Sequence, residues 1–255
     1  MSGSFGFSGP YLKKHFILLT FILYSVSIQL SNAGPPFFTD DPQPVDFRHW
    51  EFYISSLSTF HRDSWLGTSP HIEVNYGLIP DLQIHLLLPV NYNYIPHHSA
   101  DFGYGNTEFG VKYCFIHETK NSPQVGIFPI LEIPTARNPE FTNGKIQLFL
   151  PVWAQKSWGK LTTYGGVGYC INPGTNNKNW IFTGGEIQYE FSPGFMLGGE
   201  LYYHSADVAG SRSVTACSIG GSINFSQKFH FIFSIGHSLR NESFISSYAG
   251  LLLTI

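Results

Sequence analysis

Charged residues are scarce in this sequence. Asp, Glu, Lys and Arg together make up 12% of its 255 residues, against roughly 25% in a typical soluble domain. So few charged side chains argue against a water-soluble fold with an ordinary polar surface. Aromatic residues, by contrast, reach 16%. The composition fits a chain in which apolar and polar positions alternate residue by residue.

Cysteine is also scarce, with three copies on three separate predicted strands: Cys114, Cys170 and Cys217. An exported scaffold held together by disulfides usually has a dense and even set of cysteines. We therefore interpret these three as free thiols that pack as small apolar side chains.

Long apolar runs are missing after residue 33, and no convincing helical period follows. The one long run lies earlier, where Lys13 and Lys14 precede HFILLTFILYSVSIQL and then SNA. A basic region, an apolar region of about 15 residues and a small-x-small site are typical of a secretory signal peptide, whereas a membrane anchor needs roughly 20 apolar residues. We predict that residues 1–33 are a signal peptide, cleaved after Ala33.

The charge balance and the motifs exclude several partners and cofactors. Residues 1–33 contain two lysines and no acid, so their removal changes the formal net charge from −3 to −5, which does not favour nucleic acid as a partner. No spacing is typical of a zinc site and no glycine-rich loop opens a helix, so no cofactor is predicted. The dipeptides His98-Ser99 and His204-Ser205 leave an outer-membrane lipase as a lesser alternative, because such an enzyme needs serine and histidine within hydrogen-bond reach.

The strongest pattern present is a long period-2 alternation. In LQIHLLLPVNYNY, residues 82–94, Leu82 and every second residue after it share a largely apolar face, while Gln83 and every second residue after it share the other. An ordinary strand has about 5 or 6 residues, whereas a tilted membrane-crossing strand needs about 9 to 11. The same pattern predicts twelve strands, at 48–60, 71–78, 82–94, 106–116, 124–134, 145–156, 161–171, 180–191, 195–204, 213–225, 229–239 and 244–255.

The connections between these strands alternate in length. Tight turns such as SPG at 192–194 and SQK at 226–228 follow even-numbered strands, and longer loops such as 61–70 and 95–105 follow most odd-numbered ones. Phenylalanine flanks both of those tight turns on each side. Short turns at one rim, long loops at the other and aromatic girdles at the membrane interfaces are the plan of outer-membrane barrels.

We therefore predict an all-β protein in which residues 48–255 form a closed, antiparallel transmembrane β-barrel of about 12 strands, with short periplasmic turns and longer outer loops. Closure is required because an open sheet edge in hydrocarbon leaves backbone groups without hydrogen bonds. A soluble β-sandwich is the alternative, and it would need more surface charge and shorter strands. The proline-rich segment at 34–47 is either a periplasmic leader or a plug that folds into the lumen with Phe37 and Phe38.

The inward faces predict a mildly acidic lumen. We expect the following side chains to line a pore: Glu73, His85, Glu108, Lys112, Glu132, Glu200 and Tyr202. An excess of inward acids favours cations over anions. The interior of such a barrel is either a narrow channel or a network of paired side chains that fills it.

Glycine pairs interrupt four successive strands, at 165–166, 184–185, 198–199 and 220–221. A pair removes side chains from both faces of a strand. The structural interpretation is tight curvature, with aromatic rings lying over bare backbone. The functional interpretation is a wall that is widened where a solute passes.

Three segments resemble a known family: 34–55, 103–115 and 128–136. They are similar to stretches of outer-membrane barrel transporters of the meta-pathway of phenol degradation type. The sequence departs from that family with Asn106 in place of the usual Asp and Ala136 in place of Gly. The resemblance implies a barrel and the uptake of small molecules, aromatic ones among them, and no binding residue is carried over.

Together these observations predict a porin-like channel of a Gram-negative bacterium, exported with a cleaved signal peptide and embedded in outer-membrane lipid. It would admit small solutes passively, aromatic or hydrophobic ones among them, and would not be an enzyme. The alternative is a closed structural or surface-interaction barrel without transport, whose function lies in its outer loops. The sequence leaves the oligomeric state open.

Overall fold

The alternation of apolar and polar residues becomes β-structure throughout the part of the chain that the computed structural model describes, residues 35–255. The signal peptide predicted at 1–33 lies outside these residues. Helical structure within the described range is confined to a 3₁₀ turn at Pro139–Phe141. No helix in that range is long and apolar enough to cross a membrane.

Strands follow one another along the described chain as fourteen segments: β1 (Trp50–His61), β2 (Trp65–Ile79), β3 (Leu82–Tyr94), β4 (Asp101–Tyr104), β5 (Thr107–Ile116), β6 (Gln124–Ile127), β7 (Ile130–Ile133), β8 (Gln147–Trp158), β9 (Leu161–Ile171), β10 (Trp180–Ser192), β11 (Phe195–His204), β12 (Val214–Asn224), β13 (Phe229–Arg240) and β14 (Phe244–Thr254). Both β4 and β5 pair with β3, and both β6 and β7 pair with β5 and β8. Each couple is one interrupted strand, so the segments make twelve strands. One interruption contains Pro129, which has no N–H to donate to a neighbouring strand.

The first and last strands close the sheet. Neighbouring strands pair antiparallel around the whole sheet, and β1 pairs with β14 in continuous register from Glu51–Thr254 to His61–Phe244. Closure removes the sheet edges, whose unpaired N–H and C=O groups would be costly in hydrocarbon. The predicted closed, antiparallel barrel of about twelve strands is confirmed.

Most strand boundaries agree with the alternation in the sequence. The predictions at 82–94, 161–171 and 195–204 coincide with β3, β9 and β11. Long uninterrupted alternation defines these strands, because their inward and outward faces differ in polarity over the whole span.

The predicted loop at 61–70 is wrong. Strand β2 begins at Trp65, and its connection to β1 spans only residues 62–64. Its pairing with β3 shifts register between Thr68 and His71. At that shift β2 contains one more residue than β3. The alternation of inward and outward residues therefore differs by one position between the two parts of β2.

Side chains alternate between a buried inner face and an exposed outer face. In β3, Gln83, His85 and Leu87 are at most 6% exposed, whereas Leu86 between them is 37% exposed. The outer face carries large apolar side chains, such as Ile54 at 59% exposure. So large an apolar surface is compatible with lipid and would favour aggregation in water.

Aromatic rings pair at the rim with the short turns. Phe191 and Phe195 flank one turn with ring centroids 6.0 Å apart, and Phe225 and Phe229 flank another at 5.7 Å. These pairs lie where the sequence predicts an aromatic girdle, at the level of the membrane interface.

Glycines in the strands make room for inward aromatic rings. A Cβ at Gly168 would lie 2.2 Å from the Phe149 ring, and one at Gly166 would lie 2.6 Å from the Trp153 ring. Neither distance can accommodate a side chain, so these positions require glycine. The contacts support the structural interpretation, in which rings lie over bare backbone.

The three cysteines are free. Cys114 and Cys170 are buried, and Cys217 is partly buried. Their interpretation as free thiols is confirmed, and no disulfide links the described strands.

Candidate functional site

The proline-rich segment 35–47 lies inside the barrel. Thr39 and Asp41 are completely buried, and the backbone N–H groups of Thr39 and Val45 donate to the side chains of Glu200 and Gln83. Three more contacts reach other strands: Pro36 O with Ser234 Oγ at 2.7 Å, Asp40 Oδ1 with Lys112 Nζ at 2.9 Å, and Gln43 Oε1 with Gln124 Nε2 at 2.6 Å. Four prolines keep the segment out of the sheet, so its backbone groups pair with inward side chains instead.

Lys112 links this segment to the barrel wall by charge. Its ammonium nitrogen lies 2.9 Å from Asp40 and 3.8 Å from Asp41, and 4.9 Å from the ring centroid of Phe128. Only 4% of Lys112 is exposed. The structure thus places this predicted pore-lining residue against the segment, where it neutralises acidic charge.

The two phenylalanines of the segment have different surroundings. Phe37 is buried, whereas Phe38 is 43% exposed and lies with its ring centroid 5.0 Å from that of Tyr202. Phe38 and Tyr202 therefore meet as an aromatic floor that faces the open end of the lumen.

A cavity of about 420 Å³ lies above this floor, at the end of the barrel that carries the connections 62–64 and 241–243. We call it the vestibule. Half of its lining residues are Phe, Tyr or Trp: Phe38, Phe149, Trp180, Phe182, Tyr202 and Phe244. His61, His204 and Glu242 add polar groups. A ring-lined concavity with few polar groups is the usual form of a site for a small apolar ligand.

The vestibule rings are arranged in stacked pairs. The centroids of Phe149 and Trp180 are 5.1 Å apart at an interplanar angle of 27°, and those of Phe182 and Tyr202 are 5.7 Å apart at 22°. Trp180 also lies 4.4 Å from the ring of His204. These contacts hold the rings in place around the cavity, and an aromatic lining suits an aromatic ligand.

Trp180 was not singled out from the sequence as a site residue, and the structure places it in the vestibule. The signal was present in the sequence. Trp180 and Phe182 have the same parity along β10 as the buried Glu186, so they share its inward face.

A second group of predicted residues lies on strands β2, β3, β5 and β7. Glu73 Oε1 lies 3.4 Å from His85 Nδ1, and Asn75 bridges them with hydrogen bonds of 2.8 Å to each. Glu108 and Glu132 are direct cross-strand neighbours. Two adjacent carboxylates repel each other and favour a positive charge between them.

Asn106 explains how Glu132 is held. Its side-chain amide donates to Glu132 Oε1 at 2.6 Å, and Gln147 donates to the same oxygen at 3.1 Å. An aspartate at position 106 would place a further negative charge there. Asn106, which stands where the phenol-degradation type of transporter usually has Asp, is thus a neutral donor that stabilises the Glu132 carboxylate.

The residues of the lipase alternative are not arranged as a nucleophile and base. Ser205 Oγ accepts a hydrogen bond from the backbone N–H of Ile181 at 2.8 Å, and the His204 ring packs on Trp180. Ser99 and His98 are exposed in the connection after β3. Neither serine forms a side-chain hydrogen bond with a histidine among the described contacts.

The barrel is similar to solved outer-membrane channels. It matches the COG4313 outer membrane channel from Pseudomonas putida F1 with a TM-score of 0.68 at 13% identity, covering 88% of this chain and 100% of that one. The NanC porin matches with a TM-score of 0.57 at 9% identity, and the KdgM porin in complex with disordered oligogalacturonate with 0.54 at 10%; each match covers 79% of this chain and 98% of the other. The chain therefore has the fold of outer-membrane β-barrels.

No family model matches the chain, and no curated protein matches it. The outer-membrane barrel part of the sequence resemblance agrees with the fold. The phenol-degradation type of that resemblance is not confirmed.

Proposed function

We propose that this chain is an outer-membrane channel for the passive uptake of small aromatic or hydrophobic solutes. The vestibule is the observation that carries the proposal. Its volume of about 420 Å³ falls within the roughly 300–1,000 Å³ of small-molecule sites, and its aromatic lining suits aromatic solutes. Selection would depend on the width, apolarity and charge of the lumen, without covalent chemistry.

The segment 35–47 acts as the plug in this proposal. It fills the lumen beneath the vestibule, and its contacts with the wall are hydrogen bonds and an ion pair. Polar contacts can be exchanged for water when the segment shifts, because water offers replacement hydrogen bonds. A solute in the vestibule would pass when the plug gives way.

The charge of the lumen favours cations and neutral solutes over anions. Lys112 is already paired with the plug, so it does not offset the carboxylates of Glu73, Glu108, Glu132 and Glu200. Field lines from these acids are concentrated by the low-dielectric barrel wall. We propose these four carboxylates, His85 and Tyr202 as the lining of the solute path.

The test is planar-bilayer conductance of the detergent-purified protein beside a variant that lacks residues 35–47. We expect small conductance steps from the intact protein and larger steps from the variant, because deletion opens the lumen beneath the vestibule. Silence from both proteins, with their barrels shown to be folded by circular dichroism, would exclude the channel.

A closed barrel without transport is the second candidate, and the buried plug favours it. With Thr39 and Asp41 completely buried, the plug leaves little space at its own level. In that case function would lie in the outer connections, such as 134–146 between β7 and β8. Uptake of a small aromatic solute by liposomes that contain the protein distinguishes the two, since only a channel passes it.

A further inference from the structure

A pair of carboxylates lies directly beneath the vestibule. Glu186 of β10 and Glu200 of β11 are cross-strand partners, and Glu200 precedes the vestibule residue Tyr202 by two positions on the same inward face. Two residues along a strand advance about 7 Å. Only 4% of Glu186 and 3% of Glu200 are exposed, so both carboxyl groups are enclosed between the wall and the plug.

These carboxylates lack a cationic partner. Glu200 accepts hydrogen bonds from the backbone N–H of Thr39 and from Ser218 Oγ, the latter at 2.9 Å. The carboxyl group of Glu186 faces the hydroxyl of Tyr164, its cross-strand neighbour, without a well-formed hydrogen bond between them. The ion pairs of the described residues do not include either glutamate. A buried carboxylate without a partner is costly unless something binds it.

Two glycines leave the wall beside the pair without side chains, so that the Glu186 carboxyl group and Thr39 can lie against the backbone. A Cβ at Gly198 would lie 2.4 Å from Glu186 Oε1, and one at Gly184 would lie 2.1 Å from Thr39 Oγ1. The wall is therefore bare on both strands at this level. Thr39 of the plug occupies the position from which a ligand group could reach Glu200.

Extending the proposed function, on which this inference rests, we propose that the Glu186–Glu200 pair binds the ammonium group of a small aromatic amine whose ring lies in the vestibule. The ring packs on Tyr202, and the ammonium group takes the place of the Thr39 N–H on Glu200. Three N–H donors on one ammonium can serve both Glu200 and Glu186. Hydrogen bonds between opposite charges are the stronger kind.

An organic cation fits this pair better than a metal ion. The described residues contain no group of three His, Cys, Asp or Glu side chains that could hold a metal, and Ca²⁺ takes about six to eight oxygen ligands. The aromatic rings next to the pair also attract cations through their faces. Apolar rings beside two carboxylates match a ligand with one apolar and one cationic end.

The test compares three probes of similar shape: 2-phenylethylammonium, 2-phenylethanol and 3-phenylpropionate. Their binding to the detergent-purified protein is followed by the quenching of tryptophan fluorescence, to which Trp180 in the vestibule contributes. We expect the amine to bind at least about tenfold more tightly than the alcohol, since a charge-assisted hydrogen bond contributes at least about tenfold in affinity. The carboxylate should bind most weakly.

Variants locate the charge that is responsible. Glu200→Gln and Glu186→Gln should each weaken the amine about tenfold and leave the alcohol unchanged. Glu190→Gln is the matched control, because Glu190 lies on the same strand as Glu186, four residues towards the short-turn rim. Its substitution removes the same charge and should leave the affinity for the amine unchanged.

Each alternative result has a distinct meaning. Equal affinities for amine and alcohol, or no effect of either glutamine at 186 and 200, would overturn the ammonium site and leave the vestibule proposal standing. An equal effect of Glu190→Gln would also overturn it, by showing attraction to the overall charge of the lumen. Failure of all three probes to bind would overturn the proposed function itself. The comparison of probes on the unaltered protein holds even where a variant does not fold.

Discussion

Lys112 shows how a single side chain can hold the plug. We expect Lys112→Met to release residues 35–47, because it leaves Asp40 and Asp41 without a counter-charge. Removal of one partner from a buried ion pair costs about 3–5 kcal/mol, and partial exposure of Asp40, at 21% of its side chain, places this pair at the lower end. Bilayer conductance should rise towards that of the plug deletion.

The control for this substitution is Lys156→Met. Lys156 pairs with Glu118 at 2.6 Å beside the turn after β5, away from the plug. Its loss should leave the conductance unchanged, whereas an unaltered conductance in Lys112→Met would contradict the role of Lys112.

Gly184 and Gly185 are adjacent in β10 but face opposite sides of the barrel wall, the first towards the plug and the second towards the outer face. A Cβ at Gly184 would collide with Thr39, whereas one at Gly185 would have nothing within 4 Å. We expect Gly184→Ala to displace the plug and raise the conductance several-fold, and Gly185→Ala to leave it unchanged. If both alanines give the conductance of the unaltered protein, Gly184 does not position the plug.

At the scale of the strand, the outer face of β1 should respond to charge according to its depth. Ile54 lies near the middle of β1 and is largely exposed. We expect Ile54→Arg to lower the free energy of unfolding in lipid vesicles by about 2–4 kcal/mol, against about 0–1 kcal/mol for Leu78→Arg near the end of β2. Denaturant titrations followed by tryptophan fluorescence measure both, and equal effects would contradict the assignment of the outer face to lipid.

Strands could be predicted where their alternation is unbroken. The sequence of β3 carries thirteen alternating residues and gives both ends correctly. The start of β2 could not be predicted because of the register shift before His71. Before that shift, the inward residues occupy the positions that would face outward if the later alternation continued. A shift of that kind depends on pairing with neighbouring strands, which the sequence of one strand does not contain.

At the scale of the whole barrel, inward acids should set the preference between cations and anions. We expect Glu108→Gln with Glu132→Gln to reduce cation preference, because two of the proposed lining charges are lost together. Reversal potentials in a salt gradient measure this change. Glu140→Gln is the control, since Glu140 lies in an outer connection and is exposed, and an unchanged reversal potential in the double variant would contradict the assignment.

The inward positions of the candidate site followed from strand parity, but their grouping did not. Parity alone places Tyr202 and Glu200 on the inner face, yet it cannot show that Phe38 reaches Tyr202 from a segment outside the sheet. The plug has no period, and its path depends on contacts with five different strands. For this reason the contact of Phe38 with Tyr202, which forms the vestibule floor, could not be predicted from the sequence.

The pairing of β1 with β14 has a consequence for how the protein is made. The seam joins residues that are 183 to 203 positions apart in the chain, so it cannot form until the last strand has been synthesised and delivered. Contacts between such distant residues form slowly, because the long intervening chain must first be ordered. Until then the apolar outer face has no lipid around it and two unpaired edges beside it, a state that is prone to aggregate. A carrier that keeps the unfinished chain apart from its copies until the seam is sealed would therefore limit this aggregation.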